Sequence, residues 1–281
     1  MVKIHLLKRS LILCFLLSLC TPVLSTLPPA EPLTTAHSHL HVVILGDSNT
    51  WIGGDDCDKP EGWNKWFREA FQPASCKSYA RSGATWTHTV TTKQNMQEDI
   101  AVLGDDNVIY NQVCRLIAAC DEGSQPLPDL IVIAAGTNDA WFVKKRPQAF
   151  SLSADEIFAS ASRLTSEPAR HILSLAGAVR YDCELLQERF PQARIILLTP
   201  LQTTRASEEN MELATNVIES CGRLMGLPVI RQDKECCVRR ADEARQLKYT
   251  RDGAHTTVEG ARINGLYLAR RIAQLIDISR P

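Results

Sequence analysis

A short apolar run followed at once by glycine, aspartate and serine is the feature that most constrains the fold of this chain. Residues 41–45 (HVVIL) lead directly into residues 46–49 (GDSN). A β-branched run of this length, bounded by Gly-Asp-Ser, predicts a buried strand that ends in a tight turn. Ser48 then lies at the carboxyl end of a strand, which is where open α/β sheets bind their ligands.

The rest of the chain repeats this strand pattern with helices in between. Further apolar runs occupy residues 78–80, 130–134, 194–198 and 227–230, and helical patterns fall around residues 113–117, 168–189 and 207–225. Apolar strands that alternate with helices predict an α/β fold whose parallel sheet is covered on both faces. Pro168 is predicted to begin the second helix. Thr256 and Glu259 match a capping box, which predicts that the last helix starts just after His255.

The length fits one α/β domain or at most two small domains. The chain has 281 residues, and its formal net charge of -1 gives no reason to expect nucleic acid. Lys3, Lys8 and Arg9 precede an apolar stretch at residues 11–17, a layout typical of a secretory signal peptide. This stretch is shorter than a membrane span needs. We therefore predict a signal peptide at residues 1–25, a linker at 26–38, one domain at 39–281, a secreted or periplasmic location, and no stable membrane anchor after cleavage.

Eight cysteines follow the predicted signal peptide, and an even number in an exported chain favours disulfides. Eight cysteines permit 105 pairings, so the connectivity stays open. A zinc site is the alternative, but the chain has no CxxC pair with a histidine-rich partner segment. Asp55, Asp56 and Asp58 suggest either a Ca²⁺ loop or a solvated acidic turn, and the sequence favours the turn because it lacks a recognisable ligand loop.

A histidine and an aspartate near the carboxyl terminus can activate a serine. Asp252 lies three residues before His255 and can accept the Nδ1 proton of its imidazole, which leaves Nε2 free to take a proton from a hydroxyl. Ser48 needs such a base because a serine hydroxyl is a poor nucleophile until its proton is removed. Taken alone, Asp-x-x-His also fits a solvated surface loop.

Two further polar segments follow directly after predicted strands. The Asn138 amide of Gly-Thr-Asn-Asp can donate a hydrogen bond to a developing oxyanion, although these residue types also favour turns. Gly83 lets the backbone approach a ligand and present its N–H. Neither segment is informative alone.

Together, the four segments closely resemble the SGNH (GDSL-type) hydrolase family, with Ser48, Gly83, Asn138 and His255 at the four named positions. The resemblance implies a three-layer α/β/α sandwich with about five parallel strands, which is a flavodoxin-like arrangement. It implies a triad of Ser48, His255 and Asp252, and an oxyanion hole formed by the Ser48 N–H, the Gly83 N–H and the Asn138 side chain. It implies no metal and no organic cofactor. The Gly-x-Ser-x-Gly elbow of the α/β-hydrolases is absent at Ser48.

Three tryptophans each follow one of these segments by three residues: Trp51, Trp86 and Trp141. They are predicted either to form an aromatic rim that binds a sugar ring or an acyl chain, or to fill the core beneath the loops.

The combined prediction is a secreted ester hydrolase that works through an acyl-serine and removes acetyl or other short acyl groups from a carbohydrate. Its partner would be a small-molecule or polysaccharide ester. A lipase or lysophospholipase and a sugar O-acyltransferase are the alternatives within the same chemistry. An alternative from another class is a non-catalytic carbohydrate-binding member of the fold. It would need a damaged triad, and none is visible in the sequence. A flavodoxin-like cofactor binder leaves the Asp252 and His255 pair unexplained.

Overall fold

The computed structural model describes residues 37–94 and 105–278. The predicted signal peptide at residues 1–25 lies outside the described residues, as does most of the predicted linker at 26–38. Among the described residues, none of the helices combines the length and the apolar character that a membrane span requires.

Five parallel strands form one sheet in the order β2-β1-β3-β4-β5. The strands are β1 (His41–Gly46), β2 (Ser75–Ser78), β3 (Leu130–Ala134), β4 (Arg194–Leu198) and β5 (Val229–Ile230). The parallel α/β sheet expected from the sequence is therefore confirmed. The strand predicted at residues 78–80 was misplaced, because the pairing of β2 with β1 ends at Ser78. Beyond it, the Ala80 N–H donates to the Ser78 hydroxyl at 3.3 Å instead of to a neighbouring strand.

Ten α-helices connect the strands in the described residues. They are α1 (Ser48–Trp51), α2 (Trp63–Phe71), α3 (Ile109–Asp121), α4 (Thr137–Trp141), α5 (Ala154–Phe158), α6 (Leu175–Arg189), α7 (Glu208–Met225), α8 (Gln232–Glu235), α9 (Arg240–Gln246) and α10 (Val258–Ile278).

Two hydrophobic cores lie on opposite faces of the sheet, which makes a three-layer α/β/α sandwich. Val43 and Leu45 of β1 pack into one core with α3, α6 and α7, whereas Val42 and Ile44 pack into the other with α2 and α10. This alternation follows from the two-residue period of a strand. Because both faces are covered, β1, β3 and β4 are apolar at nearly every position, as their sequence indicated, whereas the edge strand β2 is mostly polar.

Two predicted helix starts are wrong. Pro168 has an extended backbone and precedes only a single 3₁₀ turn; α6 begins later, where the Ser174 hydroxyl accepts the Gly177 N–H at 3.2 Å. The last helix is capped by Thr257, whose hydroxyl accepts the Gly260 N–H at 3.1 Å, rather than by Thr256. By contrast, Ser207 caps α7 where the pattern at residues 207–225 predicted that helix.

All eight cysteines of the described residues are free thiols. The sulfurs of Cys57 and Cys76 lie 3.6 Å apart, and those of Cys236 and Cys237 lie 3.9 Å apart. The structure thus shows no disulfide among the described residues, and the predicted disulfides stay a prediction.

Candidate active site

Ser48 begins α1 directly after β1, in a turn that leaves no room for larger side chains. A Cβ added at Gly46 would lie 2.7 Å from the Ala134 carbonyl oxygen, so only glycine fits there. The Asp47 carboxylate caps α1 by accepting the Asn49 N–H at 3.1 Å. The turn therefore holds Ser48 at the carboxyl edge of the sheet, where the residue keeps 9% of its surface exposed.

The structure brings Ser48, His255 and Asp252 together across more than 200 residues of sequence. His255 Nε2 lies 2.9 Å from Ser48 Oγ, and His255 Nδ1 lies 2.7 Å from Asp252 Oδ2. Both distances are within hydrogen-bond range. The arrangement matches the geometry by which a carboxylate orients an imidazole and the imidazole takes a proton from a hydroxyl.

Asp252 is held in its charged form by its hydrogen bonds. Its second oxygen, Oδ1, accepts the N–H of His255 at 2.8 Å and the N–H of Ala254 at 3.0 Å. Partial burial raises the pKa of Asp252, but the bonds from the His255 ring and from these two amides outweigh it and lower the pKa to about 2. The carboxylate is therefore ionised at neutral pH and fixes the Nδ1 proton on the imidazole.

The other predicted donors follow the two strands beside β1. Gly83 follows β2 and has a φ of +72°, while Asn138 lies in α4 directly after β3. Among the hydrogen bonds of the described residues, neither the Ser48 N–H nor the Gly83 N–H donates to a protein acceptor. Asn138 Nδ2 donates one proton to the Ala84 carbonyl oxygen at 2.9 Å, which leaves its second N–H available. The sheet order therefore flanks Ser48 with the Gly83 and Asn138 segments.

A buried carboxylate beside Asn138 fixes the loop that carries Gly83. Asp139 is fully buried and accepts hydrogen bonds from Trp86 N at 3.1 Å, Thr87 N at 2.9 Å and Thr87 Oγ1 at 2.7 Å. Burial raises the pKa of Asp139, against the opposing effect of these bonds. Sequence reasoning missed this role, although Asp139 belongs to the Gly-Thr-Asn-Asp segment that was singled out.

Two further supports of the Ser48 turn were also missed. Asn49 Nδ2 donates to the Ala254 carbonyl oxygen at 3.1 Å, which ties the serine turn to the histidine loop. Gln112 of α3 bonds both backbone groups of Gly46 at 2.9 Å. Asn49 stands inside the GDSN segment, which was a usable signal, whereas nothing around Gln112 distinguishes it.

The three tryptophans do not form one aromatic rim. Trp86 is fully buried in the core with α3 and α6, so the core alternative holds for it. Trp141 is half-buried, packs against the same core and stacks on Phe142 with ring centroids 5.4 Å apart. Only Trp51 of the three lines a large cavity in the described residues, one of about 680 Å³.

Within residues 37–94 and 105–278, no group of three or more His, Cys, Asp or Glu side chains is arranged to hold a metal ion. The acidic residues Asp55, Asp56 and Asp58 instead line the cavity that Trp51 borders.

Comparison with known proteins identifies a family and a shared fold. Residues 44–263 match the GDSL-like Lipase/Acylhydrolase family. No curated protein is significantly similar to the chain. Among solved structures, a possible lipase from Chitinophaga pinensis DSM 2588 is 16% identical with a TM-score of 0.54, covering 84% of this chain and 99% of that one. A Lactobacillus plantarum protein is 14% identical with a TM-score of 0.55, covering 87% and 99%. At these identities the likeness concerns the fold.

Proposed function

The chain belongs to the GDSL-like lipase/acylhydrolase family, and from this premise we propose that it is a serine ester hydrolase that removes short acyl groups from a carbohydrate. The observation that carries the proposal is the pair of short contacts at His255, 2.9 Å to Ser48 Oγ and 2.7 Å to Asp252 Oδ2. These contacts supply a nucleophile, a base and an orienting carboxylate in one hydrogen-bonded chain.

In the proposed reaction, Ser48 Oγ attacks the ester carbonyl carbon as His255 Nε2 takes its proton. The carbonyl oxygen becomes an oxyanion and accepts hydrogen bonds from Ser48 N–H, Gly83 N–H and Asn138 Nδ2. The bond to the alcohol oxygen then breaks, and His255 Nε2 gives that oxygen its proton. Water, deprotonated by His255 in turn, attacks the acyl-serine and releases the acid with Ser48 restored.

The cavity beside Trp51 is lined mostly by charged side chains, and this supports a hydroxylated substrate over a long fatty chain. An apolar chain would have to displace water from charged side chains without replacing its hydrogen bonds, which is unfavourable. A half-buried indole offers a flat apolar face that suits a sugar ring.

The central experiment measures turnover of p-nitrophenyl esters of increasing chain length by the wild-type protein and by Ser48→Ala. We expect the highest kcat/KM on the acetate, and no turnover above background in Ser48→Ala. A fluorophosphonate probe should label wild-type protein on Ser48, which excludes a non-catalytic sugar binder. Full activity in folded Ser48→Ala protein would reject the nucleophile, and a steady rise of kcat/KM towards long chains would favour a lipase.

We also propose that the protein is exported with cleavage near residue 25, on the basis of the charged and apolar segments at residues 3–17. Expression of the full chain and of a version without residues 1–25 tests this. The mass of the exported protein should place its amino terminus near residue 26, and the shortened version should stay inside the cell.

A further inference from the structure

A cavity of about 680 Å³ lies between the segment that follows α1 and Arg251, and the reaction steps above do not use it. One wall is Trp51, the last residue of the helix that Ser48 begins. Arg251, which directly precedes Asp252, also lines the cavity. Its volume is in the range of cavities that bind small organic ligands.

The cavity lies on the histidine side of the nucleophile. Arg251 N donates to the His255 carbonyl oxygen at 2.9 Å, and the hydroxyl of Thr256 donates to the Glu61 carbonyl oxygen at 3.4 Å. Two lining residues, Arg251 and Glu61, are thus bonded to the loop that carries His255, whereas the Gly83 and Asn138 segments contribute no lining residue. In an ester reaction, the alcohol leaves on the side of the imidazole nitrogen that protonates it. We propose that this cavity binds the leaving alcohol and that this alcohol is a neutral, polyhydroxylated ring, that is, a sugar; this rests on the esterase function proposed above.

Two of the four carboxylates in the lining are already neutralised. Asp55 pairs with Arg81 at 3.1 Å, and Asp56 pairs with Lys77. The hydrogen bond and the charge of Lys77 lower the pKa of Asp56. These two acids are therefore occupied by protein partners.

Four other charged side chains of the lining are free to bind a ligand. Asp58, Glu61, Lys59 and Arg251 form no side-chain hydrogen bond or ion pair within the described part of the chain. Carboxylates only accept hydrogen bonds, whereas ammonium and guanidinium groups only donate them. A sugar hydroxyl does both, so a polyol can satisfy both kinds of group at once.

The same lining disfavours an alkyl chain or a phosphate as the bound group. An alkyl chain would remove water from four charges and replace none of its hydrogen bonds. A phosphate would be attracted by Lys59 and Arg251 but repelled by Asp58 and Glu61. The indole of Trp51 adds an apolar face against which the C–H face of a pyranose can pack.

The cavity wall is held in shape before any ligand binds. Asp58 N and Lys59 N both donate to the Gly53 carbonyl oxygen at 3.0 Å, and the buried amide of Asn64 donates to the Gly54 carbonyl oxygen at 3.3 Å. Cys57, between them, has a left-handed φ of +53°. A wall fixed in this way loses little conformational freedom on binding, which favours specific recognition.

The test compares acetates of three alcohols, two of which have a six-membered ring and one of which carries a phosphate. The substrates are methyl β-D-glucopyranoside with one acetate on a secondary hydroxyl, cyclohexyl acetate, and the acetate of glycerol 3-phosphate. For the wild-type protein we expect kcat/KM on the sugar acetate to exceed that on cyclohexyl acetate by about tenfold or more, because hydrogen bonds to charged groups are the strong ones. Equal values, or a preference for the phosphate ester, would overturn the proposal.

Variants then locate the preference. The double variant Asp58→Asn, Glu61→Gln and the single variant Trp51→Ala should each lower the ratio of the sugar to the cyclohexyl value by about fivefold to tenfold. Each should raise the inhibition constant of free methyl glucoside against p-nitrophenyl acetate. Glu122→Gln, an exposed carboxylate at the end of α3, is the matched control and should leave the ratio unchanged.

The esterase function and the sugar pocket can be rejected separately. If the wild-type protein hydrolyses acetates through Ser48 but the cavity variants keep the wild-type ratio, the sugar pocket is wrong and the esterase stands. If the wild-type protein hydrolyses none of the acetates and resists the fluorophosphonate, the proposed function and the sugar pocket are both wrong.

Discussion

Asn49 Oδ1 accepts the N–H of Thr256 at 3.1 Å, so the residue after the serine is bonded directly to the residue after the histidine. The same amide donates to the Ala254 carbonyl oxygen at 3.1 Å. One side chain therefore brackets His255 from both sides in sequence and sets its distance from Ser48.

We expect Asn49→Ala to lower kcat by about tenfold to a hundredfold, because a small displacement of the base from the nucleophile is costly. KM should change little, since Asn49 is almost fully buried. Stability should fall as well, because a buried donor and a buried acceptor lose their partner.

Asn111→Ala provides the control for the stability effect. The buried Asn111 amide donates to the Asp106 carbonyl oxygen at 2.7 Å and to the Lys93 carbonyl oxygen at 3.0 Å, and among the described residues it has no hydrogen bond to the serine turn or the histidine loop. We expect it to lower the melting temperature while kcat stays close to wild type. If Asn49→Ala lowered the melting temperature alone, as the control does, its positioning role would be refuted.

Removal of the Asn138 amide should reduce kcat by about 10²–10³, the usual cost of losing one oxyanion donor. The measurement is steady-state hydrolysis of p-nitrophenyl acetate, with thermal unfolding as a check because Asn138 also bonds the Ala84 carbonyl oxygen. Less than about a twofold change in kcat for Asn138→Ala would exclude this amide from the oxyanion hole.

The sequence predicted the elements whose signal is local. The runs that became β1, β3 and β4 are apolar because the sheet is covered on both faces. The first two lead directly to Ser48 and Asn138, which could be singled out without knowledge of any partner. Ser207 likewise marks the start of α7 through its own hydroxyl.

The parts that were missed depend on partners far away in the chain. Thr256 fits a capping box by spacing, but its hydroxyl is taken by the carbonyl oxygen of Glu61, 195 residues earlier, and Thr257 becomes the cap instead. Gln112 supports Gly46 across 66 residues. Spacing alone cannot indicate such contacts, because they arise only when the sheet brings the segments together.

Trp86 and Trp51 should respond to truncation in opposite ways, since the first is fully buried and the second borders the cavity. Trp86→Ala should lower the free energy of unfolding by about 3–5 kcal/mol, as expected for a large buried aromatic. Trp51→Ala should lower it by about 1 kcal/mol or less. Chemical denaturation measures both. A Trp86→Ala protein with wild-type stability and a raised KM would restore Trp86 to the substrate site.

Asp47 should make stability depend on pH in the direction opposite to most carboxylates. Burial raises its pKa from 3.8 to about 6, although hydrogen bonds from Asn49 and Thr137 act the other way. A carboxyl whose folded pKa exceeds its unfolded value stabilises the fold fully below pH 3.8, and this contribution is lost as pH rises through 6. Asp252 has the opposite sign, because its pKa is lowered to about 2.

Asp47→Asn isolates this effect, because an amide oxygen can still accept the Asn49 N–H but cannot ionise. Between pH 4 and pH 8, the unfolding free energy of the variant relative to wild type should rise by about 3 kcal/mol, which is the pKa difference converted to free energy. Urea unfolding at several pH values measures the difference. A constant difference across this range would mean that the pKa of Asp47 is the same in the folded and the unfolded chain. Burial of this helix cap would then not disfavour its charged form.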